Sequence, residues 1–241
     1  MFERYIAAFA APLESVMLMN NRLKRIGVLV MAIITTVTMH ACAQINQSTA
    51  DTVCRALEEK YGCAFTALQI GDRFNTAGAK LYLSPQDNPS VVFSASINRK
   101  TGVVTDNYPA EQVFWQIENR LAEQMQVEGM ACASRSYTVG NDLSQETDPG
   151  LTPKELAQKY GLSSFYVYFV VDEEGLDMEK TEKAIQKAAA DLGVTLKIMG
   201  YVMPHEDFLL CRQDIYENPE ISSTLIEKFA VSAEFAVTAE G

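Results

Sequence analysis

Histidine and tryptophan are scarce in this 241-residue chain, at two and one, and cations are outnumbered: 20 Lys and Arg stand against 31 Asp and Glu, a net charge of −11. That balance excludes nucleic-acid binding, which depends on clustered Lys and Arg neutralising phosphates. No Cys-x-x-Cys occurs, so zinc-ribbon and thioredoxin-type readings have no basis. Ser-x-x-Lys, Gly-x-Ser-x-Gly, His-Glu-x-x-His and glycine-rich phosphate loops are also missing. Motifs therefore assign no catalytic, cofactor-binding or metal-binding residue, and no cofactor is expected. The main apolar run, Ile26 to Met39, falls short of the about 20 residues that a spanning helix needs, and Thr35, Thr36 and Thr38 dilute it. What the chain does have is 48% hydrophobic residues, enough for a packed core.

Asn20-Asn21-Arg22-Leu23-Lys24-Arg25 ahead of Ile26–Met39 reads as the basic and apolar regions of an export signal, so 1–43 is expected to be a signal segment. Its end offers two processing chemistries. Ala41-Cys42-Ala43 fits ordinary signal peptidase and would release a chain starting at Gln44. Met39-His40-Ala41-Cys42 resembles a bacterial lipobox, in which Cys42 is acylated and becomes the first residue. Lipidation at Cys42 is the expectation, with secretion or a retained anchor as alternatives; two or more acyl chains hold a protein firmly where one is marginal. Residues 1–18 sit awkwardly upstream, with Glu3, Arg4, Pro12 and Glu14 among apolar residues. Met17 or Met19 would make an ordinary signal-peptide start, so the expected start lies there. The expected location is outside the cytoplasm, anchored to the cell membrane.

Four further cysteines, Cys54, Cys63, Cys132 and Cys211, permit two disulfides in three connectivities. Cys54 to Cys63 is disfavoured: a helix through this stretch separates them by about 13 Å, against the roughly 7 Å that a bridge tolerates. Scattered thiols of this kind serve equally well as small core residues.

The pattern of elements predicts an α+β fold, with helices on antiparallel or mixed sheets in two small lobes. The first lobe spans 48–139, a linker 140–151 and the second lobe 152–241. Ser48–Tyr61 reads as a helix stopped by Gly62, and three strands follow over Ala64–Gly71, Ala79–Leu83 and Val91–Ile97. Asn75-Thr76-Ala77-Gly78 makes a turn between the first two. After the short strand Val103–Asp106, Pro109 opens a long helix to about Val127 with the stripe Val113, Phe114, Ile117, Leu121 and Met125. Thr152-Pro153 with Glu155 forms a capping box for a helix to Tyr160. Phe165–Val171 is a central strand and Asp177–Gly193 a helix. Val194–Met203 is a strand, Glu206–Asn218 a helix or irregular piece, and Phe229–Thr238 a last strand.

Lys60-Tyr61-Gly62 with Phe65, Pro85-Gln86-Asp87-Asn88-Pro89 with Phe93, and Asp106-Asn107-Tyr108 give the stretch 57–108 a likeness. It resembles a recurring type of uncharacterised exported protein or lipoprotein of Gram-positive bacteria. The resemblance implies a small α+β domain of cystatin-like shape and brings no catalytic residues.

Candidate chemistry is thin. His205-Glu206-Asp207 could hold a general base or half a metal site; as a helix start after Pro204, its acids also suit the positive helix N-terminus. Asp172-Glu173-Glu174-Gly175-Leu176-Asp177 lacks the ligand spacing of a calcium loop and reads as a strand-to-helix connection with Asp177 as N-cap. Asp106-Asn107-Tyr108-Pro109 fits an Asx-type turn, and Trp115 a packing aromatic. Tyr166 and Tyr168 alternate with Phe165, Val167 and Phe169, so one face of that strand carries phenol groups; burial in the core is the first expectation for it, and it is otherwise the best binding surface of the second half. The expected role is a cell-surface binding or interaction module without catalysis, engaging an unknown protein or small ligand. The alternatives are an exported hydrolase and an accessory subunit of an envelope assembly.

Overall fold

The computed structural model describes residues 47–70, 78–214 and 227–233, with side chains omitted at 210–214 and 227–228. The signal segment, Cys42, the turn at 75–77, the Cys211 side chain and residues 234–238 lie outside the described residues. The chain forms two compact units, Met1–Val53 and Cys54–Gly241. The fold is α+β, with two four-stranded sheets.

The first sheet follows chain order: β1 (Phe65–Ile70), β2 (Gly78–Pro85), β3 (Phe93–Asn98) and β4 (Val104–Asp106), all antiparallel. Alternation sets its faces, with Leu81, Leu83, Phe93, Ala95 and Ile97 buried while Lys80, Tyr82 and Ser96 face outward. A helix over 47–61 (α1) precedes it and ends at Gly62, whose φ of 73° favours glycine.

Six of the residues that carry the sequence resemblance meet here: Lys60, Tyr61, Phe65, Phe93, Asp106 and Tyr108. The rings of Tyr61, Phe65, Phe93 and Tyr108 pack with centroids 4.9–6.3 Å apart, mostly edge to face. Asp106 anchors them: its carboxylate accepts from Lys60 Nζ at 2.9 Å, Tyr61 OH at 2.7 Å and the Tyr108 backbone N–H at 3.1 Å. The last of these is the expected Asx turn.

Helix α2 (Tyr108–Val127) has Pro in its first turn and buries the whole expected stripe. Its first residue belongs to the aromatic cluster of the first sheet, and its middle packs on β5 (Cys132–Tyr137) of the second. The second sheet runs β5, β6 (Phe165–Asp172), β7 (Leu196–Met203), β8 (Glu227–Ala233), and only the β6–β7 pair is parallel. Its inner face takes helices α2, α3 (Pro153–Tyr160) and α4 (Met178–Leu192) into one core containing Ile117, Leu121, Leu156, Phe169, Ile185 and Leu196. The predicted caps are present. Thr152 and Glu155 form the capping box, and Asp177 accepts from the Lys180 N–H.

Two features depart from the sequence reading. Strand β5 gave no signal in the sequence, and it pairs with β6 across the segment 140–151, so hydrogen bonding crosses the expected linker. That segment is docked. Leu143 enters the core, and Glu146 accepts from the Thr147 and Asp148 N–H groups and from Lys159 Nζ. Burial opposes ionisation of Glu146, but these donors outweigh it and hold its carboxyl down at about 2.

Phe169, Gly200 and Phe229 lie in register on β6, β7 and β8. A Cβ at Gly200 would fall inside the Phe229 ring, so glycine is the residue that lets this ring cross β7 toward Phe169, 6.5 Å away between centroids.

Candidate functional site

The outer face of the second sheet is half covered. Odd-numbered β6 residues point to the core, which leaves Tyr166, Tyr168 and Val170 on the other side, beside Tyr137 of β5 and Lys197, Met199 and Tyr201 of β7. Helix α5 (His205–Asp214) covers one end, where Phe208 packs with Val170, Tyr201 and Met203. The other end is partly exposed. Tyr137, Tyr166 and Tyr168 are half-buried there, and Met199 is 41% exposed.

The phenol rings form one stack. Tyr137 lies 5.1 Å from Tyr168 and 5.7 Å from Tyr166, at interplanar angles of 22° and 30°, and Lys197 Nζ sits 5.3 Å from the Tyr166 ring centre. Burial, then the neighbouring Tyr168 hydroxyl, push the Tyr137 phenol up to about 12, so it stays a neutral hydrogen-bonding group. Tyr166 and Tyr168 share one face as the alternation requires, but they are half-buried rather than in the core, which takes Phe165, Val167 and Phe169 instead. Tyr137 was missed with its strand.

At the covered end, the parallel pairing of β6 with β7 sets Asp172 opposite Met203. Pro204 ends β7, so His205, the next residue, starts α5 beside Asp172. Its Nδ1 lies 2.6 Å from Asp172 Oδ2 and 3.3 Å from Glu174 Oε2. The two acidic motifs of the sequence, 33 residues apart, thus form one cluster. The Asp172 hydrogen bond raises the His205 pKa against desolvation, and the charges of Asp172, Glu174 and Glu173 add to it. Asp172 is buried and also accepts the Glu174 N–H at 3.0 Å, whereas His205 is 42% exposed. Glu206 and Asp207 stand in the first turn of α5 as expected. Trp115 is half-buried on α2.

No two of Cys54, Cys63 and Cys132 are joined by a disulfide. Burial raises the Cys63 thiol pKa, and its sulfur lies 3.9 Å from the Tyr108 hydroxyl.

A third group escaped the sequence reading because one partner lies on β5. Arg135 grips Glu111 of α2 through both nitrogens, at 2.7 and 2.9 Å, and Glu118, two turns on, accepts the Ser136 N–H at 2.6 Å. Burial drives the Glu118 carboxyl up to about 7, against Arg135 and the Ser136 N–H and with help from Glu111. The folded chain therefore keeps a proton that the unfolded chain releases near pH 4.3. Stability falls as pH rises from about 4.5 to about 7. We expect Glu118→Gln, which cannot ionise, to gain about 1–3 kcal/mol over wild type at pH 8 and almost nothing at pH 4.5, measured by urea unfolding at both.

Two concavities, about 240 Å³ beside Ser164 and Gly193 and about 510 Å³ beside Ser96 and Val103, are lined by neither the tyrosines nor His205. Among the described residues, no helix is long and apolar enough to cross a membrane.

In comparison with known proteins, the sequence matches no protein-family profile and no curated protein. The fold is similar to a crystal structure, at 2.55 Å resolution, of a DUF5037 family protein from Ruminococcus gnavus ATCC 29149, an uncharacterised family. The TM-score is 0.61 and the sequence identity 13%, over 78% of this chain and 92% of that one. At this identity the likeness establishes a shared fold and nothing about activity.

Proposed function

We propose that this chain works outside the cytoplasm, held to a membrane by acyl chains on Cys42, as a non-catalytic protein that binds a partner through its tyrosine face. The observation that carries the binding role is the half-exposed stack of Tyr137, Tyr166 and Tyr168 with Met199 beside it. Aromatic side chains with a polar tip supply large contact area at low entropic cost and are enriched where proteins meet partners. The membrane address rests on the basic and apolar pattern of residues 20–43 and the lipobox-like Met39–Cys42. A helix followed in the chain by a four-stranded antiparallel sheet fits the cystatin-like shape of the exported proteins that 57–108 resembles.

Paired substitution of Tyr137 and Tyr168 by serine tests the contact surface. Bound to beads, the wild-type chain should recover a partner from solubilised envelope, and the paired variant should recover at least tenfold less while its circular dichroism stays unchanged. Equal recovery by both proteins contradicts the assignment.

A second reading, an exported hydrolase, is favoured by one observation: Asp172 and Glu174 converge on His205 at hydrogen-bonding distance. An exposed histidine oriented by a buried carboxylate is the pairing a general base requires.

A further inference from the structure

The cluster at the C-terminal ends of β6 and β7 has a chemistry that partner binding does not use. We propose that Asp172, Glu174 and His205 form a binding site for one divalent transition-metal ion of the zinc class. Each residue offers one ligand atom, and the three atoms all lie within 4.8 Å of one another. They come from three separate elements: the end of β6, the loop after it and the first residue of α5. Adjacent C-terminal ends of parallel strands are also where α/β sheets gather ligand-binding loops.

The distances fit an ion in place of a proton. Ligands held about 2.0–2.2 Å from a tetrahedral metal stand roughly 3.4 Å from each other. The Nδ1 to Glu174 Oε2 edge is already 3.3 Å. The Nδ1 to Asp172 Oδ2 edge is 2.6 Å, the length of a hydrogen bond, and opens by about 0.8 Å when the shared proton leaves and the ion enters. Asp172 is prepared for this role. Its Oδ1 is committed to the Glu174 N–H, so Oδ2 alone points at the histidine. Burial of Phe208 against Val170, Tyr201 and Met203 fixes the helix that carries His205.

One imidazole with two carboxylates selects zinc, cobalt or nickel over magnesium and calcium, which take oxygen ligands almost exclusively. Three protein ligands leave the fourth tetrahedral position to water, since His205 and Glu174 face solvent.

Titration of the full chain with zinc chloride by calorimetry, repeated with magnesium chloride, tests the site. Wild type should take up one zinc ion with a Kd below about 10 µM, ignore magnesium, and give a visible absorption band with cobalt. His205→Ala, a change at a half-exposed position that leaves the core untouched, should weaken zinc at least 100-fold and abolish the cobalt band. Glu174→Gln should weaken zinc about tenfold. The Tyr137/Tyr168 serine variant should bind zinc as wild type does, so this site and the tyrosine face stand or fall separately. No zinc uptake by wild type overturns the proposal, and so does equal uptake by wild type and His205→Ala.

Discussion

Phe169→Ala should cost about 3–5 kcal/mol of folding stability, the range for emptying a fully buried phenylalanine position. Phe169 sits at the centre of β6, hydrogen-bonded on one side to β5 and on the other to β7, and is fully buried. It belongs to the core that α2, α3 and α4 build on this sheet, and its ring meets Phe229 edge to face across Gly200. Removing it leaves a void that the surrounding strands cannot close, because both neighbours are locked in register. Domains of this size hold only about 5–15 kcal/mol in total. The variant should therefore unfold at a much lower urea concentration, with an unchanged slope if the unfolding remains two-state. A loss below 1 kcal/mol would mean that the core is not packed as described.

Asp106→Ala should be the next most damaging change, at about 2–4 kcal/mol. The carboxylate side chain is fully buried, and three donors converge on it: Lys60 and Tyr61 from the end of α1 and the Tyr108 N–H from the start of α2. Alanine strands the Tyr61 hydroxyl and the Tyr108 N–H in an aromatic surrounding. The Lys60 side chain is 40% exposed and regains water, which keeps the cost below that of a wholly buried pair. Asp106→Asn keeps an acceptor for two of the donors and should lose about half as much. Chemical denaturation of the three proteins at pH 7 gives the comparison. Equal stability of wild type and Asp106→Ala would refute the anchor role.

Local pattern carried much of the fold. The α2 stripe from Val113 to Met125, the capping box at Thr152 and Glu155, and the N-cap Asp177 all follow from spacing over one or two helical turns. Alternation over Phe165–Phe169 put the two tyrosines on one face but did not settle which face meets the core: the expected burial of the tyrosines gives way to Phe165, Val167 and Phe169 turned inward. Strand β5 was not legible for a physical reason. Its core-side residues are Cys132, Ser134 and Ser136, small or polar, so Cys-Ala-Ser-Arg-Ser-Tyr shows no apolar alternation, and its partner lies a linker and a helix away. Arg135 and Tyr137 were lost with it. The cluster at His205 was illegible for another reason. Its two halves meet only because β6 and β7 run parallel, and the local pattern of a strand does not specify which way its neighbour runs.

The proposed role depends first on the address written in 20–43. Metabolic labelling with a fatty-acid analogue, comparing wild type with Cys42→Ala, tests it most directly when protease is added to intact cells. Wild type should carry the label and be digested from outside, and Cys42→Ala should carry none. An unlabelled wild-type chain, protected inside the cell, would contradict both the anchor and the compartment.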